Sequence, residues 1–206
     1  KEDLANHNFF SKLPIVNIID VLRFSHQKNG FLNKFTHIKP HYAKAERDNL
    51  LILAAILANA THHGSYKMSE MANISYQSLQ SAENNFIRLD TLKSANDCLS
   101  EAIACLPIYA DWCIQPDRIY ASVDGQKFQT RIDLLQARNS AKYFPLKKGV
   151  VAYTLLANFI PLSVETIPPN LHESYFLFDI LKNMTATIKL DYVSGVTSAI
   201  QTQLNA

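Results

Sequence analysis

Between residues 14 and 114, apolar positions recur at the three-and-four spacing of helices. Ile15, Ile18, Ile19 and Leu22 form one such stripe, the spacing that brings side chains onto a single helix face. From Ala43 to Ala60 the residues Leu50, Leu51, Leu53, Ala54 and Leu57 leave little polar surface, which predicts a helix buried on most sides. Ser75 predicts an N-cap for a helix running through Leu89, and Asp90 a cap for the next. That next helix carries Leu92, Ala95, Leu99, Ala102, Ile103 and Leu106 on one face, and Pro107 stops it. No glycine occurs between Gly64 and Gly125, as suits helices joined by short connections.

After Pro116 the period falls to two. Ile119, Ala121 and Val123 alternate with Tyr120 and Ser122 and run into Asp124-Gly125, which reads as a strand ending at a turn. Gly149 to Ile160 and Leu162 to Ile167 are rich in β-branched and aromatic residues and predict two adjacent strands parted by Pro161. His172 to Met184 returns to helical spacing, and Ile188, Leu190, Tyr192 and Ser194 read as one face of a last short strand. The order predicts an α+β chain: a helical region over 1–115, then a partial mixed sheet with one covering helix over 116–206, the boundary lying near Pro107 to Pro116.

Composition narrows the class. At 206 residues the chain can form one or two domains, and 48% apolar residues with only five glycines and eight prolines exclude disordered and collagen-like chains. Cys98, Cys105 and Cys113 are odd in number and lack C-x-x-C spacing, which argues against a disulfide framework and a structural zinc site. Cys98 and Cys105, seven apart, read as small apolar core residues. Lys1-Glu2-Asp3 lacks a signal layout, and the longest apolar run, Leu50 to Ala58, is far short of the roughly 20 residues a span needs. The expectation is a soluble cytoplasmic protein with no membrane partner.

Twenty Lys+Arg against 18 Asp+Glu give a net charge of +2, but the balance is not even along the chain. Between Asp117 and Val150 the seven cations Arg118, Lys127, Arg131, Arg138, Lys142, Lys147 and Lys148 face only Asp117, Asp124 and Asp133. Tyr143 and Phe144 interleave with them, a composition suited to phosphate contact with aromatic stacking beside it; a solvated lysine-rich loop has the same composition. Just before lies Ser122-Val-Asp-Gly-Gln-Lys-Phe128, where Asp124 at a strand end could offer oxygen to a hard cation or could simply make a turn. His172-Glu173 has no second histidine at helical spacing, and His62-His63 beside Gly64 reads as surface. P-loop, G-x-G-x-x-G and G-x-S-x-G motifs are absent.

Several segments, in order, resemble the transposases of the Tn3 family of replicative transposons. They are Gly30-Phe31 through Phe35-Thr36-His37, Leu53 to Ala60, His63-Gly64 with Lys67-Met68, and Ser122 to Phe128. The resemblance continues through Ala137-Arg138-Asn139-Ser140, Lys142-Tyr143-Phe144, Leu146 to Val150, Leu156-Ala157-Asn158, His172-Glu173-Ser174 and Phe178-Asp179. It implies an RNase H-like catalytic domain in which two aspartates and a distant glutamate bind two Mg2+ ions for DNA nicking and strand transfer at transposon ends. Asp124 corresponds to the first aspartate and metal ligand, and Lys127, Arg131, Arg138, Lys142, Lys147 and Lys148 would lie against transposon-end DNA.

The second aspartate of the family falls where this chain has Val196, within Ser194-Gly195-Val196-Thr197. A valine ligates no metal, and the third carboxylate would come beyond Ala206. The expectation is therefore a truncated or decayed transposase, inactive alone and homodimeric through an exposed sheet edge. The alternatives are a non-catalytic DNA-binding module and a helical protein-interaction module built on the Leu50 to Ala60 helix.

Overall fold

The computed structural model describes residues 12–42, 47–114, 120–131 and 133–182. The chain divides into two compact units between Leu92 and Lys93. The predicted last strand, Ile188 to Ser194, and Val196 lie outside the described residues.

In the first unit, α1 (Ile18–Asn29) starts where Asn17 Oδ1 accepts from the Ile19 N–H at 3.1 Å and ends at Gly30, whose φ of 70° suits glycine. None of its residues is buried. The predicted stripe is solvent-facing, with Ile15, Ile18 and Ile19 all exposed. A 3-10 turn over Phe31–Lys34 instead drives Phe31, Leu32 and Phe35 into the core. Helix α2 (Asn49–Ala60) begins later than the pattern predicts because Asp48 caps it, its carboxylate accepting from the Leu50 N–H at 2.8 Å. It buries Ile52, Leu53, Ala55 and Ala58 beside Leu79 and Ala82 of α4 (Tyr76–Phe86), with α3 (Gly64–Ala72) between the two in sequence. Ser75 sits at the cap position of α4 but its side chain makes no capping bond.

Helix α5 (Leu89–Ala104) begins one residue before Asp90, so Asp90 lies in the first turn rather than capping it. Thr91 Oγ1 takes the vacant role, accepting from the Arg88 N–H at 3.0 Å. The second unit includes most of α5, from Lys93 on, and the short α6 (Tyr109–Trp112), and Ile103 and Tyr109 pack on the sheet core. The hydrophobic period changes later than this packing does, only after Pro116.

The sheet is antiparallel among the described residues rather than mixed as expected. Strand β3 (Phe144–Ala157) is central: β1 (Ala121–Gln129) pairs along one side, and β4 (Ile160–Ile167) along the other. Strand β2 (Arg138–Ser140) pairs with the start of β3, Arg138 opposite Gly149. Alternation decides the faces. Odd-numbered Val151, Tyr153, Leu155 and Ala157 join Ile160, Leu162, Ile167 and Ile180 of α7 (Leu177–Lys182) in one core. The α+β class is as predicted. The break between β3 and β4 falls at Asn158-Phe159, and Pro161 lies inside β4 with its side chain exposed.

Candidate nucleic-acid site

Asp124 and Gly125 do not make a turn. They lie in the middle of β1, opposite Thr154 and Tyr153 of β3. Turn propensity is overruled by packing, because Gly125 meets the Glu173 carboxylate so closely that a Cβ at 125 would overlap it. Glycine inside a strand marks such an approach. Glu173 is held there by the Lys127 ammonium, which donates to Glu173 Oε1 at 2.8 Å and to the Gly125 carbonyl at 3.2 Å. Lys127 also stands 4.6 Å from the Tyr143 ring centroid, a cation–π contact. The Glu173 hydrogen bond, ahead of an opposing desolvation effect, raises the Lys127 pKa above its usual value. Burial, and then the Glu173 charge, push the Tyr153 phenol up as well.

One residue of alternation puts Asp124 on the opposite face of β1 from this cluster. Asp124 is exposed, with Ser122, Gln126 and Phe128 on the same exposed side of the strand. Among the described residues no three His, Cys, Asp or Glu side chains come together as a metal site. Asp124 is thus not part of such a group among the described residues.

The predicted DNA-contacting cations separate into three groups. Arg131, Lys147 and Lys148 line a cleft of about 550 Å³ where β1 ends and β3 begins, with Gln129, Thr130, Asp133 and Leu146. Lys148 is paired with Asp133 at 2.7 Å, both side chains exposed, whereas Arg131 and Lys147 have no partner among the described residues. Lys142 stands 5.0 Å from the Tyr143 ring. Arg138 is occupied, its Nη1 donating to the carbonyls of Leu135 and Ala137 at 2.9 Å each, and Lys127 faces inward. Cleft and carboxylate share one strand: five residues of β1 put Gln129 roughly 17 Å from Asp124.

Of the other polar candidates, His62 adopts φ 59° and His63 bonds Thr61 Oγ1 at 2.7 Å, so both serve the turn before α3. None of the three cysteines is in a disulfide; Cys105 is exposed rather than in a core, while Cys98 is half-buried. Glu173 is the residue whose role the sequence hides. The sequence marks it as half of the His172-Glu173 pair and within a family-like segment, but nothing local says that it meets Gly125 and Lys127.

The Tn3 transposase DDE domain model matches residues 20–204. The transposase for transposon gamma-delta of Escherichia coli (strain K12) is 23% identical over 177 residues, covering 84% of this chain and 17% of that protein. The transposase for transposon Tn4556 of Streptomyces fradiae is 25% identical over 171 residues, covering 82% and 19%. The transposase for transposon Tn3926 of Escherichia coli is 27% identical over 169 residues, covering 81% and 17%. The chain thus spans less than a fifth of the length of each of these relatives. No solved structure matches it. No described helix is long and apolar enough to cross a membrane. With a match spanning nearly the whole sequence, the chain belongs to the Tn3 transposase DDE domain family.

Proposed function

We propose that this chain is the first-aspartate portion of a DNA transposase catalytic domain and that it binds DNA through its sugar–phosphate backbone. The supporting observation is the placement on one strand of an exposed carboxylate, Asp124, and a cleft holding Arg131 and Lys147, cations with no partner among the described residues. Phosphates seated against those cations release counterions, which makes the affinity salt-dependent. A backbone phosphate held in the cleft would bring the DNA along β1 toward Asp124.

Asp124 suits a hard divalent cation such as Mg2+ by its oxygen chemistry, but a single carboxylate does not hold two ions, and Val196 stands where the family has its second aspartate. Metal-dependent nicking and strand transfer therefore do not occur on this chain alone. Incubation with transposon-end duplex and Mg2+ or Mn2+ is expected to leave the DNA intact. Robust cleavage abolished by Asp124→Ala would refute the inactivity. Binding to the same duplex is expected to fall steeply between 50 and 200 mM salt, about tenfold or more, and a flat salt response would refute the DNA reading. The unpaired outer edge of β1 among the described residues supports a homodimer in solution, for which light scattering should give twice the chain mass; the mass of one chain refutes it.

A further inference from the structure

Strands β3 and β4 stay paired as far as Ala157 opposite Ile160, so Asn158 and Phe159 alone form the turn. Both have positive φ, 43° and 68°. Such a two-residue hairpin turn takes Asn readily at its first position and Gly at its second. Phe159 stands where glycine belongs, and a bulky side chain in the left-handed region is strained. Folding does not account for it, because the residue is 70% exposed and its ring contributes little to any core.

The turn is held firmly nonetheless. Asn158 is buried, its N–H donates to the Tyr120 carbonyl at 2.9 Å, and its Oδ1 accepts from the Tyr120 N–H at 3.0 Å. Its amide nitrogen donates to the Tyr109 hydroxyl at 3.3 Å and to Cys113 Sγ at 3.4 Å. Strain that the surroundings over-determine clusters at functional sites. Here it presents one aromatic ring on a fixed support, which lowers the entropic cost of using that ring in binding.

The partner follows from chemistry and position. Residues 157–162 contain no lysine or arginine, so phosphate attraction is not the contribution of this tip. Ala157 lies opposite Ala121, three residues before Asp124, which puts the base of the tip about 10 Å from Asp124 along the strand, with Asn158 and Phe159 just beyond it. An exposed, rigid aromatic in a DNA-acting family, without local charge, suits the face of a nucleobase. We propose that Phe159 is a stacking finger that takes an unpaired base of the DNA beside Asp124. This inference rests on the DNA reading above and adds to it the class of substrate: an end or junction carrying an unpaired base rather than continuous duplex.

The test uses the full chain, Phe159→Gly and Phe159→Trp, with two probes of equal duplex length, one blunt and one carrying a three-nucleotide overhang with 2-aminopurine. Wild type is expected to bind the overhang more tightly and to quench its fluorescence. Phe159→Gly should weaken overhang binding by roughly 5- to 150-fold with blunt binding and the salt slope unchanged. Phe159→Trp should retain both affinity and quenching. The glycine variant relieves the turn, so its melting temperature should equal or exceed that of wild type, which separates the effect from misfolding. If wild type binds blunt duplex with a steep salt slope but Phe159→Gly binds both probes as wild type does, the finger is refuted and the DNA reading stands. If Phe159→Gly loses both probes equally, the finger is likewise refuted. If wild type binds neither probe, both readings fall.

Discussion

The contact between Gly125 and Glu173 supports a quantitative test of how β1 is held in place. Gly125→Ala puts a Cβ into the space of the Glu173 carboxylate, so Glu173 must swing out and release Lys127. The pair is half-buried, with side chains 25% and 28% exposed, and the bond is 2.8 Å long. Losing a hydrogen bond between charged groups costs about 1.5–3 kcal/mol, reduced here by partial solvent screening to about 1–2 kcal/mol. Crowding adds about 1 kcal/mol or more, while alanine in a strand recovers about 0.5–1 kcal/mol over glycine. The net expectation is a destabilisation of about 1–2 kcal/mol. In a Glu173→Ala background the obstruction and the pair are already gone, so adding Gly125→Ala should change sign and stabilise by about 0.5 kcal/mol. Trp112 is the only tryptophan in the sequence and belongs to the second unit, so its fluorescence in a urea titration follows that unit's unfolding. Equal destabilisation by Gly125→Ala in both backgrounds would refute the overlap as the reason for glycine at 125.

Alkaline pH provides a second test. The folded pKa values of both Lys127 and Tyr153 lie above their ordinary values of 10.5 and 10.0. The stability linked to each is therefore complete below those ordinary values and is lost as pH rises through the raised ones. Unfolding free energy measured from pH 8 to 11.5 should fall above about pH 10, and Tyr153→Phe should remove part of that fall. A curve flat across the range refutes the assignment. Removing a cleft cation, Arg131→Gln or Lys147→Gln, should lower the salt slope of duplex binding by about 0.9 for each phosphate no longer neutralised. Lys127→Gln should leave the slope unchanged while lowering stability, and the reverse pattern would exchange the roles of these lysines.

The strands β3 and β4 are legible in the sequence because their own residues carry the signal: β-branched and aromatic side chains at period two stay in a strand wherever that strand packs. Asp124-Gly125 misleads for the complementary reason. Its turn propensity is local, whereas the constraint that keeps it extended is a carboxylate 48 positions later. Pro161 misleads in the same way, since an exposed position in β4 tolerates proline and the chain actually reverses at Asn158-Phe159. The stripe on α1 has correct helical spacing yet finds no core within its unit, because periodicity specifies a face and says nothing of what covers it. The basic stretch was legible as charge but not as geometry. Arg138 turns its Nη1 back onto nearby carbonyls and Lys127 pairs with Glu173, while Arg131, Lys147 and Lys148 line the cleft.

The alternation along β1 has an evolutionary consequence. Val123, Gly125 and Lys127 face inward and carry the packing, whereas Ser122, Asp124 and Gln126 face solvent. Mutation of the inward set is visible to selection as loss of the folded protein. Mutation at Asp124 changes an exposed side chain without disturbing the sheet, so a copy that loses this carboxylate goes on folding. On such a strand, inheritance can preserve the scaffold long after the solvent-facing positions have changed.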